Sequence, residues 1–167
     1  SWNYADTEKQ GAVLNTSRLI VASIYFFSGL QKVNPVFMGG VFPWMITPIA
    51  NLLSSPLQIF PLSLGIVVPF LEMGIGLGLL TKKYRVHAIV LALLMLGFVS
   101  FTLGPLGHNW NSVVWPWNVA MALFVLVLFW RAEKFSIRDI LWINNFSFQK
   151  IVLVLFAIMP LFSFFNF

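Results

Sequence analysis

The residues from Leu57 to Arg85 constrain the fold of this chain more than any other stretch. They read LQIFPLSLGIVVPFLEMGIGLGLLTKKYR, in which roughly twenty apolar residues, enough to cross a bilayer, hold one carboxylate, Glu72. A carboxylate at membrane depth is costly, so Glu72 is expected to face protein rather than lipid. Gly74 and Gly78 form a small-xxx-small pair that predicts close approach of a neighbouring helix. We therefore expect this helix at the centre of a bundle.

The composition of the whole chain indicates the same class of protein. Of its 167 residues, 59% are hydrophobic and 9% are charged, and the mean hydropathy is +0.89. A soluble domain of this size would not have enough polar surface to cover itself. The chain has no cysteine, which excludes disulfides and iron–sulfur clusters within it. The net charge of +5 comes from cations beside apolar segments, so it indicates membrane topology rather than binding to nucleic acid.

The apolar segments predict an all-α integral membrane helical bundle of four spans, with a fifth span and short interfacial helices added. The predicted spans cover residues 18–33, 57–85, 86–104, 113–130 and 150–167. In this organisation a polar cytosolic or interfacial tail, residues 1–16, precedes a four-span unit, residues 17–130. A cytosolic amphipathic connection, residues 131–149, then leads to the fifth span.

The segment of residues 34–56 is too apolar for an ordinary loop and is too often interrupted by proline and glycine for a span. Apolar residues recur at helical spacing after Pro43. A short interfacial or re-entrant helix is therefore predicted there, with Trp44 at the level of the lipid headgroups.

The lysines and arginines predict how the bundle is oriented. With the amino end in the cytoplasm, nine of the ten cations lie inside and only Lys32 lies outside. The carboxyl end is then outside, and residues 34–56 lie on the same outer side as the turn between the third and fourth spans. We expect these two segments to pack together as an outer cap that shields His108 and Asn111.

Two interpretations of Glu72 follow from the residues around it. In the first, Glu72 forms a structural ion pair with Lys32 or hydrogen bonds with Tyr25 and Ser28 of the first span. In the second, Glu72 is a proton-carrying carboxylate or the partner of a quinone ring, since burial favours the protonated form of a carboxyl group.

The turn His108, Asn109, Trp110 and Asn111 is the second candidate site. It places an imidazole and two amides beside a span, where they can hold a quinone or lipid headgroup or form a hydrogen-bonded turn that caps the fourth helix. His87 is interpreted as an ordinary interface residue. His87 and His108 are 21 residues apart, about 30 Å along a helix, so they cannot bind one haem iron together.

Two stretches of the sequence resemble the DoxX family of small bacterial membrane proteins. They are RLIVASIYFFSGLQK, from Arg18 to Lys32, and LEMGIGLGLLTKKYR, from Leu71 to Arg85, and an Ala/Leu-rich third span follows. The resemblance extends over residues 17–130 and implies a four-helix membrane bundle. Members are often encoded with redox systems, as DoxX and DoxD are with thiosulfate:quinone oxidoreductase and MauE is with methylamine dehydrogenase maturation. The transmembrane domain of vitamin K-dependent carboxylases is a more distant resemblance.

Two functions are compatible with these features. The chain is either an accessory or structural subunit, without catalysis of its own, that packs against other membrane proteins, or a quinone-linked redox component with its site near Glu72 and the outer turn. The candidate cofactors are a quinone or a bound lipid, and the expected partners are the bilayer and other membrane subunits. The resemblance implies location in the bacterial cytoplasmic membrane.

Overall fold

The structure, a computed structural model, describes residues 2–53 and 59–132 of the chain. Over these residues the chain forms α-helices without any strand, as predicted. The helices are α1 (Trp2–Gln31), α2 (Phe42–Ala50), α3 (Ile59–Leu80), α4 (Arg85–Leu103) and α5 (Val114–Phe129). A π-helical segment, Phe37–Val41, leads directly into α2. The predicted fifth span, and the connection before it from residue 133 onward, lie outside the described residues.

Two of the described helical segments are long and apolar enough to cross a membrane. Val13–Gln31 and Arg85–Leu103 each have 19 residues, with mean hydropathies of 1.3 and 2.3. The apolar segments Phe37–Ala50, Leu64–Leu80 and Val114–Phe129 are shorter. Length and hydropathy therefore identify α1 and α4 as possible membrane spans.

Helices α1, α3, α4 and α5 pack around one apolar core. Helix α1 lies along α3, α3 contacts α4, α4 contacts α5, and α5 returns to α1. Each of the four helices contributes buried side chains to this core, among them Val21, Ala22, Tyr25, Ile75, Leu79, Ile89, Ala92, Met121, Val125 and Phe129. The result is a closed ring of four helices with Glu72 of α3 on its inner side.

The closest helix contact, between α1 and α3, depends on two glycines. A Cβ atom on Gly29 would collide with the carbonyl oxygen of Pro69, and one on Gly76 would lie 2.6 Å from the carbonyl oxygen of Ala22. An early residue of α1 thus meets a late residue of α3, so the two helices run antiparallel. Small residues at such crossings let two backbones touch.

The predicted role of the Gly74 and Gly78 pair is only partly correct. A Cβ atom on Gly78 would lie 2.9 Å from the Cβ atom of Ala88 in α4, so Gly78 does admit a neighbouring helix. Gly74 is exposed and has no neighbour within 4 Å of an added Cβ atom. The residue that admits α1 is Gly76, because it lies four residues after Glu72 and therefore on the same face of α3.

Helix α1 is longer than the first predicted span. It begins at Trp2, so the described part of the predicted tail, residues 2–16, is helical and continuous with the span. No proline and only one glycine, Gly11, occur between Trp2 and Ser17. A helix that has already been nucleated in the apolar segment can extend through such residues at little cost.

Asn34 separates α1 from the next helical segment. Its side-chain amide donates to the carbonyl oxygen of Gln31 at 2.7 Å, and its side-chain oxygen accepts from the backbone N–H of Phe37 at 2.7 Å. One side chain thus satisfies backbone groups at the end of one helix and at the start of the next.

The helix predicted after Pro43 is present but begins one residue earlier, at Phe42. Pro43 therefore lies in the first turn, where its missing N–H is tolerated. Phe42 is fully buried, contacts Phe98 of α4, and lies where a Cβ atom on Gly65 of α3 would approach its ring to 2.9 Å. This segment thus packs on the ends of α3 and α4 and forms a second, smaller core with them.

Candidate functional site

Glu72 and Lys32 form an ion pair between α3 and α1. The Lys32 Nζ atom lies 2.5 Å from Oε1 and 2.6 Å from Oε2 of Glu72, and it donates to the Ser28 Oγ atom at 3.0 Å. The Ser28 hydroxyl is 3.4 Å from Oε2, a long and weak contact. The prediction that Glu72 faces the bundle interior and contacts the first helix is therefore confirmed.

The ion pair is enclosed on one side only. Glu72 is 3% exposed, whereas the Lys32 side chain is 30% exposed and has the Phe37 ring 5.8 Å from its Nζ atom. An ammonium group has three protons, and Lys32 has two carboxylate oxygens and one hydroxyl to receive them. The pair is therefore satisfied by the protein itself, which is the condition for a structural role of a buried charge.

Tyr25 lies on the same face of α1, one turn before Ser28, but does not join this network. Its side chain is 3% exposed and its hydroxyl has no hydrogen-bond partner, so the predicted bond to Glu72 is absent. Among the described residues, the Thr16 hydroxyl is buried without a partner too. An unsatisfied buried donor costs about 1–3 kcal/mol, so the Tyr25 hydroxyl is a position where a water or ligand atom would stabilise the protein.

His108 joins the outer turn to α2. Its Nε2 atom is 2.7 Å from the carbonyl oxygen of Trp44, which can only accept, so Nε2 carries the proton; Thr47 Oγ1 lies 3.2 Å away. The His108 and Trp44 rings stack with centroids 4.2 Å apart and planes 18° apart, and Trp110 packs edge-on against Trp44 at 5.2 Å. The predicted contact between the two outer segments is thus present.

The two asparagines of the outer turn have backbone roles. Asn109 has a φ of 48°, and its N–H donates to the carbonyl oxygen of Gly104 at 2.9 Å, which folds the turn back on the end of α4. The side-chain oxygen of Asn111 accepts from the N–H of Val113 at 2.9 Å and directs the chain into α5. Both residues are exposed, so the prediction that Asn111 is shielded is wrong. A residue at the tip of a turn can satisfy the backbone and still face outward.

Two arginines have structural roles that the sequence interpretation missed. The Arg18 Nε atom donates to the carbonyl oxygen of Leu128 near the end of α5 at 2.8 Å, and the Arg85 Nε atom donates to that of Leu79 near the end of α3 at 3.1 Å. Carbonyls in the last turn of a helix lack partners within the helix, and cations there also interact favourably with the helix dipole. The available signal was that Arg18 precedes Val21, Ala22 and Tyr25 at helical spacing, on the core face.

A second missed contact joins α4 to α5 near the outer end. The Asn118 side chain is buried, and its amide donates to the Ser100 Oγ atom at 3.2 Å. Nothing in the apolar pattern of the fourth span distinguishes Asn118 from a lipid-facing asparagine, so only the packing of the two helices identifies it.

The described residues do not form a metal site. They hold no group of three His, Asp or Glu side chains that could bind an ion together. His87 lies at the start of α4 and His108 lies beyond its end, so the helix separates the two imidazoles. Comparisons with protein-family models, with curated proteins and with solved structures find no match for this chain.

Proposed function

We propose that this chain is a DoxX-like accessory subunit of a larger bacterial membrane complex and has no catalytic activity of its own. The observation that carries the proposal is that the chain itself satisfies the polar groups of both candidate sites. Lys32 and Ser28 occupy Glu72, and the backbone of Trp44 together with Thr47 occupies His108. A catalytic or ligand site would keep at least one of these groups available for a substrate.

The charge distribution supports a multi-pass arrangement with the amino end in the cytoplasm. Lys82, Lys83 and Arg131 are exposed at the end of the bundle where α3 and α5 finish and α4 begins. From residue 86 to residue 130 the sequence has no Asp, Glu, Lys or Arg. One cationic end and a long uncharged region beyond it fit insertion with the cations inside. In this proposal α3 and α5 cross the membrane together with α1 and α4.

The outward faces of the bundle support assembly with lipids and with other subunits. Large apolar side chains are exposed on three helices, among them Ile66, Phe70, Leu77, Val90, Leu94, Leu123 and Val127. So much apolar surface on one small protein needs an apolar environment or a partner. The chain offers few exposed polar groups beside it, which favours packing over chemistry.

Purification in a mild detergent tests the proposal. A chain with an affinity tag at its amino end should elute as a complex with other membrane proteins, at a fixed ratio to them by quantitative mass spectrometry. The matched control is the Glu72→Leu, Lys32→Met double variant, which keeps the outer surface. A chain that elutes alone from native membranes at every detergent concentration would refute the accessory role.

The unpartnered Tyr25 hydroxyl favours a second candidate, a quinone-linked redox component. A phenol beside a buried carboxylate could donate to a quinone carbonyl group. This function requires quinone to co-purify with the isolated chain in a fixed ratio and the Tyr25→Phe variant to lose it. Absence of extractable quinone from both proteins would exclude this candidate.

A further inference from the structure

A groove lies between α4 and α5 at the outer end of the bundle. Its cavity volume is about 490 Å³. The residues that line it come from the last two turns of α4, the turn that follows, and the start of α5; they are Gly97, Ser100, Phe101, Pro105, Leu106 and Trp115. The volume falls within the range of ligand-binding pockets, about 300–1,000 Å³.

The groove is open because of Gly97 and is nearly free of polar groups. A Cβ atom on Gly97 would have no neighbour within 4 Å, so a side chain at this position would enter the groove rather than the core. The hydroxyl of Ser100 is the one side-chain polar group of the lining, and it already accepts from Asn118. The groove therefore has apolar walls and no unsatisfied side chain that would require a polar ligand.

We propose that this groove binds one hydrocarbon chain of a membrane lipid whose headgroup has no net negative charge. The proposal rests on the membrane placement proposed above. The nearest sequence positions with a cation are outside residues 86–130, so no ammonium or guanidinium of α4 or α5 can hold an anionic headgroup there. The cations of this bundle lie at its other end, with Lys82, Lys83 and Arg131. Trp115 at the rim, an amphipathic side chain, suits the boundary between hydrocarbon and headgroup.

The energy for binding in this groove comes from contact rather than from the hydrophobic effect. Lipid tails in the bilayer are as apolar as the lining residues, so transfer into the groove gains nothing from leaving water. A void beside Phe101 and Leu106 would lose dispersion contacts on one side, and a chain that fills the groove restores them. Binding should therefore depend on the shape of the groove and be lost when a side chain fills it.

Photo-crosslinking with a diazirine on the acyl chain of phosphatidylethanolamine tests this proposal. The full chain is reconstituted in vesicles of phosphatidylethanolamine and phosphatidylglycerol, and labelled peptides are quantified by mass spectrometry. We expect labelling of residues 97–115 to fall about fivefold in the Gly97→Leu variant, because leucine occupies the space of the chain. Gly74→Leu is the matched control, since Gly74 is also exposed and open, and it should keep the labelling.

Three results would overturn the proposal. The first is equal labelling in both variants, and the second is stronger labelling of the groove by a phosphatidylglycerol probe. The third is a disulfide from cysteine at position 97 to residues 150–167 or to a second copy of the chain, together with no lipid label, which would assign the groove to a protein segment. Retention of the chain in carbonate-washed membranes separates the two proposals. A retained but unlabelled chain contradicts only the groove, whereas a chain released by the wash contradicts the membrane placement.

Discussion

The contact between α1 and α3 and the contact between α2 and the outer turn both join segments that are distant in sequence, but their chemistry differs. The first uses full charges, Lys32 and Glu72, with the carboxylate buried. The second uses neutral groups, with the His108 ring stacked on Trp44 and bonded to its backbone. A buried charge that loses its partner has nowhere to go, whereas a neutral ring at the surface can bond to water. We therefore expect the inner contact to tolerate single substitutions much less than the outer one.

Separating the two charges should have the largest effect. We expect Glu72→Leu alone to lower the free energy of unfolding by about 3–5 kcal/mol, because it leaves the Lys32 ammonium unpaired against the bundle. The Lys32→Met, Glu72→Leu double variant should recover most of this loss. Reversible unfolding in detergent micelles, arranged as a double-mutant cycle, measures the coupling. Additive losses from the two single variants would show that the charges do not depend on each other.

Filling the backbone contact beside the ion pair should have the next largest effect. Gly76→Ala adds a Cβ atom 2.6 Å from the Ala22 carbonyl oxygen, so α1 and α3 must move apart. We expect a loss of about 1–3 kcal/mol, the usual cost of overpacking. Gly74→Ala is the control, and it should be neutral or slightly stabilising because alanine favours helix. Equal melting temperatures for both variants would contradict the assigned crossing point.

Removing the imidazole of the outer cap should cost less. His108→Ala loses a hydrogen bond and a ring contact, for an expected loss of about 1–2 kcal/mol. The replacement His108→Phe keeps the stacking and should recover part of it. Thermal unfolding followed by tryptophan fluorescence reports this directly, because Trp44 is the stacked partner. A loss as large as that of Glu72→Leu would remove the distinction between the two contacts.

Tyr25→Phe should have the smallest effect and the opposite sign. It deletes a buried hydroxyl without a partner, so we expect the variant to be more stable than the parent by about 1 kcal/mol. Destabilisation instead would show that the hydroxyl binds a water or ligand atom. The same unfolding measurement, repeated with and without added quinone, distinguishes these two occupants.

Much of this arrangement could be predicted from the order of the residues. Tyr25, Ser28 and Lys32 share one face of α1 because of the helical repeat, and Glu72 is the one carboxylate of its apolar stretch, so their meeting follows from periodicity and from the cost of a lone charge. The contact between the Trp44 and His108 segments could be predicted because both are apolar and lie at the same end of the bundle. These inferences needed only local geometry and the sides of the membrane on which segments end.

The sequence by itself determined the helical class, the apolar segments and the partner of Glu72, because these depend on hydropathy, helical repeat and charge. Only the tertiary structure decided that Gly76 rather than Gly74 meets α1, that Arg18 and Arg85 bond to carbonyls at helix ends, and that the Tyr25 hydroxyl has no partner. The physical reason is rotation. Spacing along a helix shows which residues share a face, but the direction of that face is set by how neighbouring helices turn about their axes to pack, which is a property of the whole bundle.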